Sequence, residues 1–136
     1  AVAPMAEGPP PAVNAPAPYQ LPVAGRLLTG FGNGAAGQAE SRGISIAARA
    51  GALAVVPGAG RIAFAGPYQG YGVIVIIEHG GGWTSLVTGL AVLNVRVGQT
   101  VIAGAPLGQA GPGRPVLALE LRKDGTPLNP LDFLRR

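Results

Sequence analysis

The sequence predicts a single all-β domain built from antiparallel hairpins. Gly and Pro, the residues that favour tight turns, account for 23 and 14 of its 136 residues. The segments between these turns are short and rich in Val, Ile and Leu, and none keeps a helical hydrophobic period over three turns. A chain of this length suffices for one domain with its own core, but not comfortably for two.

The first 20 residues, AVAPMAEGPPPAVNAPAPYQ, differ in amino-acid composition from the rest of the chain. They are rich in Ala and Pro and carry hardly any large apolar side chains, so they cannot bury enough surface to offset the entropy cost of ordering. We therefore expect residues 1–20 to form a flexible linker and residues 21–136 to form the domain. The alternative is an extended arm that lies ordered on the domain. Because the chain begins at Ala1, we expect a removed signal peptide or a longer parent protein.

The first half of the domain reads as four short strands. GRLLTGFG predicts a strand that leads into a Gly-rich turn. In RGISIAA apolar residues alternate with polar or small ones, which predicts a second strand. GALAVVPGAGRIAFAGPYQGYG then gives two strands around a Pro-Gly turn, the second ending near Ala65.

The second half is dominated by hairpin signals. VIVIIEHGGGWTSLVTGL predicts two strands joined at residues 79–82. NVRVGQTVIAGAPLGQAG places a turn at residues 98–99 and a break at Gly104. RPVLALELRKDG gives a last long strand over residues 115–122, and GTPLNPLDFLRR closes with a turn and one helical turn.

Composition excludes several classes of function. The net charge is +4, but the bases are scattered singly and lack interleaved aromatics, so we do not expect a nucleic-acid binder. The chain has no Cys, which excludes disulfides and thiol chemistry and is compatible with a periplasmic location. The longest apolar run, residues 73–77, is too short for a membrane span.

Five segments, in order and spacing, resemble the lysostaphin-type zinc metallopeptidases, the LytM-like domains that cut peptidoglycan cross-bridges. The resemblance covers about residues 22–134 and implies an antiparallel β-sheet sandwich with a groove at the zinc site. The segments are LPVAGRLLTGFG, RGISIAARAGALAVVPGAGRIAFAG, GYGVIVIIEHGGGWTSL, VNVRVGQTVIAGAPLG and LALELRKDGTPLNPLDFL.

The residues that bind zinc and assist catalysis in this family are replaced in this chain. In active members a His and an Asp four residues apart, with the second His of a His-x-His, hold the metal, and two further His assist. These positions fall on Ser41, Ser45, Gly89, Val116 and Ala118. None of these side chains is a zinc ligand, and the resemblance places the single histidine, His79, outside the metal site. We therefore expect no metal, no cofactor and no peptidase activity.

The same loss marks a non-catalytic branch, the EnvC-like murein hydrolase activators of Gram-negative bacteria, which the segments QGYG, IEHG, GPGRP and ELR also resemble. The resemblance implies a periplasmic protein that binds and activates an N-acetylmuramoyl-L-alanine amidase, itself a zinc enzyme, in peptidoglycan remodelling and cell division. Such activators receive a signal from the FtsEX division complex through an upstream coiled coil, which this sequence does not contain. The alternative is a peptidoglycan-binding module without an activator role.

The resemblance places three recognition residues at the groove: Arg42, Tyr71 and Arg122. The planar guanidinium of Arg suits carboxylates or carbonyls on a docked helix. The alternatives are surface arginines that are simply solvated, or pairing of an Arg with Glu120 and Asp124. Tyr71 is either a recognition side chain or a turn residue that packs on its own hairpin.

The floor of the groove is expected to be smooth and apolar, lined by Val116 and Ala118 with Gly89 nearby, which suits the apolar face of a helix. Ser41 and Ser45 are expected to be inert lining, because no His or Lys lies near them in sequence to act as a base. Trp83 is expected to be buried. A lipoyl-type carrier is excluded because Lys123, the only lysine, has no Met-Lys context.

Overall fold

The computed structural model describes residues 15–32, 42–68 and 72–134. These residues form ten β-strands and one short 3₁₀ helix, which confirms the all-β prediction. The strands are β1 (Arg26–Thr29), β2 (Ile44–Ala47), β3 (Leu53–Val55), β4 (Gly60–Tyr68), β5 (Gly72–Gly80), β6 (Trp83–Leu93), β7 (Thr100–Val101), β8 (Pro106–Ala110), β9 (Val116–Lys123) and β10 (Thr126–Leu128). The 3₁₀ helix spans Pro130–Phe133, and no helix among these residues is long and apolar enough to cross a membrane.

All strand pairs are antiparallel, and the main path of the sheet is β1-β2-β9-β6-β5-β4-β7. The long strand β6 has two partners on one edge, because residues 83–88 pair with β9 and the part beyond Gly89 pairs with β8. Strand β8 then pairs with β3. The sheet therefore branches at Gly89 and carries β8 and β3 away from the plane of β9.

Alternation along the strands separates a buried face from an open one. On β9, Leu117, Leu119 and Leu121 are fully buried, whereas the residues between them lie on the opposite face and remain partly exposed. The same buried cluster takes in both branches of the sheet, including Ala54 of β3 and Leu107 of β8. Burying large apolar side chains contributes about 1.5–3 kcal/mol each, so this cluster is the main source of stability.

The folded part begins earlier than residue 21. Tyr19 is fully buried in the core. The amide of Gln20 donates to the carbonyl of Pro57 at 2.9 Å, and the amide of Val55 donates to the carbonyl of Pro22 at 2.7 Å. For residues 15–20 the structure therefore has the ordered arm, and the boundary predicted after residue 20 moves toward the N-terminus. Residues 1–14, the rest of the predicted linker, lie outside the described residues.

Strand β4 is longer than the sequence predicts. It continues past Ala65 to Tyr68, although Gly66 and Pro67 signal a break. Pro67 is tolerated because, among the described residues, β4 has β7 as its neighbour on this side only at its start. Its later residues therefore lie on an edge where a missing N–H removes no ladder bond. The predicted hairpin at residues 79–82 and the last long strand are confirmed.

Candidate functional site

A groove lies on the open face of strands β4, β5, β6 and β9, opposite the core. It encloses about 330 Å³. Its lining residues are Phe64, Tyr68, Ile74, Ile76, Leu86, Thr88, Glu120 and Arg122. An apolar floor with few polar groups is the usual character of a binding site.

Strand register explains how these side chains meet. One row of paired residues across β9, β6, β5 and β4 reads Glu120, Leu86, Ile76 and Phe64. The next row reads Ala118, Thr88, Ile74 and Gly66. Paired residues on one face have Cβ atoms about 5 Å apart, so each row forms a continuous strip across the sheet.

The charged end of the groove is an ion pair within β9. The Nη2 atom of Arg122 donates to Oε1 of Glu120 at 2.7 Å, and Nε donates to the same oxygen at 3.1 Å. The two residues are two positions apart on the strand and therefore share a face. Pairing with Glu120 is one of the alternatives that the sequence left open for Arg122, and it is the arrangement found.

Arg42 is exposed and does not line the groove. The next residue, Gly43, packs directly against β9: a Cβ added to it would lie 2.3 Å from the carbonyl oxygen of Leu119 and 2.8 Å from Cγ of Glu120. Only glycine permits this approach, which brings the backbone next to Arg42 close to the strand that carries the ion pair. Of the two predicted arginines, Arg122 lines the groove and Arg42 adjoins a residue that contacts β9.

The described positions where the resemblance would place the family's metal site also come together. Ser45 of β2 pairs with Ala118 of β9, and Val116 pairs with Ala47. Ala118 pairs on its other side with Thr88, which lines the groove. This patch is thus continuous with the groove, although Val116 and Ala118 do not line it. Ser41 lies outside the described residues.

Gly89 completes this patch in a way that the sequence did not reveal. Its φ is +96°, in the left-handed region, and an added Cβ would lie 2.2 Å from the carbonyl oxygen of Val116. Strand β9 therefore occupies the space that any side chain at Gly89 would need. The expected contribution of Gly89 to a smooth floor is corrected to a close contact between two backbones.

The donor set of this patch does not fit zinc. Structural and catalytic zinc sites use Cys, His and carboxylate ligands, whereas the described positions offer a hydroxyl, a methyl, a Val side chain and a glycine. In the part of the chain that the structure describes, no three residues of the His, Cys, Asp and Glu types lie together as a metal site would require.

His79 lies away from this patch, in a hydrogen-bonded chain beneath the sheet. Its Nδ1 is 2.7 Å from the carbonyl oxygen of Ala59, so Nδ1 carries the proton and donates. Nε2, 2.7 Å from Oγ of Ser85, then accepts from that hydroxyl, and Ser85 in turn accepts from the hydroxyl of Tyr19 at 2.7 Å. The carbonyl of Ala59 can only accept a hydrogen bond, so it fixes which atom donates in each of the three hydrogen bonds.

Burial shifts the pKa values of the two titratable side chains in this hydrogen-bonded series, His79 and Tyr19. It lowers the pKa of His79 and outweighs the hydrogen bond to Ala59, which raises that pKa. Burial also raises the pKa of Tyr19 strongly, offset in part by the bond to Ser85. Ser85 is fully buried, so this Ser–His contact stabilises the fold and has no access to substrate.

The aromatic residues of the groove are Phe64 and Tyr68, which sequence reasoning missed. Their rings meet edge to face with centroids 6.2 Å apart, and Tyr68 is 55% exposed. Their spacing of four along a strand was the available signal, hidden by ending β4 near Ala65. Tyr71 lies outside the described residues. Trp83 is buried, as expected.

Comparison with known proteins identifies the family. The model of peptidase family M23 matches residues 39–130, and the chain belongs to this family. It is 36% identical to the murein hydrolase activator EnvC of Escherichia coli K12, over 85% of this chain and 28% of that protein. It is 34% identical to a lipoprotein NlpD/LppB homolog of Pseudomonas aeruginosa, over 87% of this chain and 40% of that protein. The chain thus spans less than half the length of these relatives.

Solved structures agree with the fold. Helicobacter pylori Csd3 superposes with a TM-score of 0.79 at 25% identity, over 87% of this chain and 35% of Csd3. The peptidase lysostaphin from Staphylococcus simulans superposes with a TM-score of 0.69 at 22% identity, over 85% of this chain and 53% of lysostaphin. The lysostaphin-type fold is therefore confirmed, as is the resemblance to murein hydrolase activators.

Proposed function

We propose that this chain is a catalytically inactive LytM-like domain that binds and activates a periplasmic N-acetylmuramoyl-L-alanine amidase during peptidoglycan remodelling and cell division. The observation that carries the proposal is the groove: its apolar floor ends at Arg122, and it lies next to the positions where the resemblance would place the family's metal. EnvC, whose name is that of a murein hydrolase activator, and the NlpD/LppB homolog align with 85% and 87% of this chain, which supports the proposal.

The chemistry of the groove favours binding over reaction. Its lining residues include one carboxylate, Glu120, and that carboxylate is paired with Arg122. A hydrolase needs an activated water or nucleophile with a base in reach, and neither stands among these residues. The apolar residues supply the area that a docked protein segment would bury, and the arginines supply its orientation.

The dimensions of this face suit a short segment of a partner. From Val116 to Arg122 the open face of β9 extends over six residue steps, or about 20 Å. A helix of about 13 residues has that length. The lipoprotein name of one relative and the Gram-negative hosts of both support an envelope, periplasmic location. A signal from an FtsEX-type division complex would reach the groove through a coiled coil, which this sequence does not contain.

Release of dye from labelled peptidoglycan sacculi tests the proposal. The chain alone, a soluble periplasmic zinc amidase alone, and their mixture are compared, and we expect release above the amidase baseline only in the mixture. Arg122→Ala is expected to remove this gain. Arg96→Ala, an exposed arginine outside the groove, is the matched control and is expected to keep it.

Two results would overturn the proposal. Dye release by the chain alone that a chelator stops would identify an active metallopeptidase. Saturable retention of the chain on sacculi, without any effect on the amidase, would instead identify a peptidoglycan-binding module.

A further inference from the structure

We infer that Glu120 is an intramolecular competitor that occupies Arg122 in the free domain, and that the groove selects a partner segment whose carboxylate takes Glu120's place on the guanidinium. This inference rests on the proposed function, because it concerns the segment that the same groove would bind. It assigns Glu120 the role of setting both affinity and charge preference.

The geometry of the pair is that of an internal ligand. Glu120 receives both bonds, from Nε and Nη2 of Arg122, on one oxygen, at 3.1 and 2.7 Å. The contact forms within a single strand, so it needs no other element of the fold and no partner protein. Bonds from an arginine to a carboxylate are the kind that an acidic partner residue would make in its place.

The pair is also easily exchanged. The side chains of Arg122 and Glu120 keep 31% and 27% of their surface exposed, so water and salt screen their attraction. A segment that covers the neighbouring floor at Leu86 and Ile76 would displace this water. The surroundings of the guanidinium would then favour a well-placed carboxylate, and the charge of Glu120 would oppose it.

Charge complementarity identifies the partner segment as acidic. Arg122 and Glu120 are the two charged groups of the groove lining, and they neutralise each other. Arg42 is exposed and adjoins Gly43, which packs against Glu120, and the chain carries a net charge of +4. A segment with an apolar face and a carboxylate at one end therefore fits this groove, whereas the positive charge of the domain would repel a basic segment.

The test compares binding of the soluble zinc amidase to four forms of the chain: wild type, Glu120→Gln, Glu120→Gln with Arg122→Gln, and Glu78→Gln. Gln at position 120 keeps the acceptor oxygen and removes the charge. Glu78→Gln is the matched control. Glu78 is an exposed carboxylate outside the groove lining, on β5, which β6 separates from β9, and its loss changes the net charge by the same amount. Isothermal titration calorimetry gives the Kd of each form, and circular dichroism verifies that each one folds.

We expect Glu120→Gln to bind the amidase about five- to tenfold more tightly than wild type, since a like charge next to the docked carboxylate has been removed. Removing Arg122 as well should abolish the gain, and Glu78→Gln should stay within about twofold of wild type.

The outcomes separate the inference from the function. If wild type binds but Glu120→Gln binds equally or more weakly, Glu120 positions Arg122 rather than competing for it, and the inference fails while the proposed function stands. If Glu78→Gln shows the same gain, net charge explains the effect and the inference also fails. If no form binds the amidase, both are overturned.

Discussion

The hydroxyl oxygen of Tyr19 lies 2.7 Å from Oγ of Ser85, a residue 66 positions further along the chain. This contact ties the N-terminal arm to the start of β6, and through Ser85 to His79 on β5. The arm therefore belongs to the hydrogen-bonded interior of the domain.

Ser85→Ala is expected to destabilise the domain by about 1–3 kcal/mol, because it leaves the hydroxyl of Tyr19 and Nε2 of His79 buried without their partner. Urea unfolding followed by tryptophan fluorescence measures the change. Ser45→Ala, on the open face of β2, is the matched control and should cost less than about 0.5 kcal/mol. If both variants lose the same free energy of unfolding, the buried hydrogen bonds of Ser85 do not contribute to stability.

Stability is expected to be highest between about pH 6.5 and pH 10. The pKa of His79 is lowered from its usual 6.5 in the folded state, so the unfolded state takes up the proton first and stability falls as pH drops below 6.5. The pKa of Tyr19 is raised from its usual 10.0, so the unfolded state loses its proton first and stability falls as pH rises above 10. Urea midpoints across pH measure both limbs, and His79→Gln should flatten the acidic limb just below pH 6.5. If the substitution leaves the pH dependence of stability below pH 6.5 unchanged, other titratable groups cause the loss of stability at acidic pH.

Leu86→Glu is expected to weaken amidase binding by at least about tenfold. It places a carboxylate in the floor directly opposite Glu120, where two like charges repel each other and an incoming acidic segment. Val92→Glu is the matched control, because Val92 lies on the same strand, is 46% exposed and does not line the groove. If both variants lose binding equally, the groove is not the docking surface.

Gly89→Ala is expected to destabilise the domain by about 3 kcal/mol or more, through backbone strain and collision of Cβ with the carbonyl of Val116. Gly98→Ala separates the two effects. Gly98 has a φ of +91°, close to the +96° of Gly89, but an added Cβ would meet nothing within 4 Å. We expect this control to cost about 1 kcal/mol. Thermal and urea unfolding measure the stability of both variants. If the two substitutions destabilise the domain equally, β9 shifts to accommodate a side chain at position 89.

The strands were predictable from sequence wherever a local signal specified them. The glycine triplet after His79 requires a turn, and the alternation from Leu117 to Leu121 requires a strand with one buried face. The end of β4 was not predictable, since Gly66 and Pro67 normally break a strand and only the open edge permits them. That edge depends on how short β7 is, which is a property of the assembled sheet.

The candidate site was predictable only in part, for a similar reason. Arg122 could be placed at the groove because a motif carries it. Phe64 and Tyr68 were missed because the predicted β4 ended near Ala65. Leu86 meets Glu120 through the pairing of β6 with β9, which are distant in sequence, and no local pattern encodes that pairing. Tyr19 was assigned to the linker because its neighbours are Ala and Pro, and its burial depends on Ser85, far along the chain.

The close approach of β9 to Gly89 also limits how this chain could be redesigned. Ser45 and Ala118 lie on the open faces of their strands, where a different side chain can be introduced without moving the backbone. A side chain at position 89 would first require β9 to withdraw, together with the buried leucines that hold it in place. A new ligand site on this patch would therefore have to be built from Ser45 and Ala118, because position 89 cannot accept a side chain unless β9 moves.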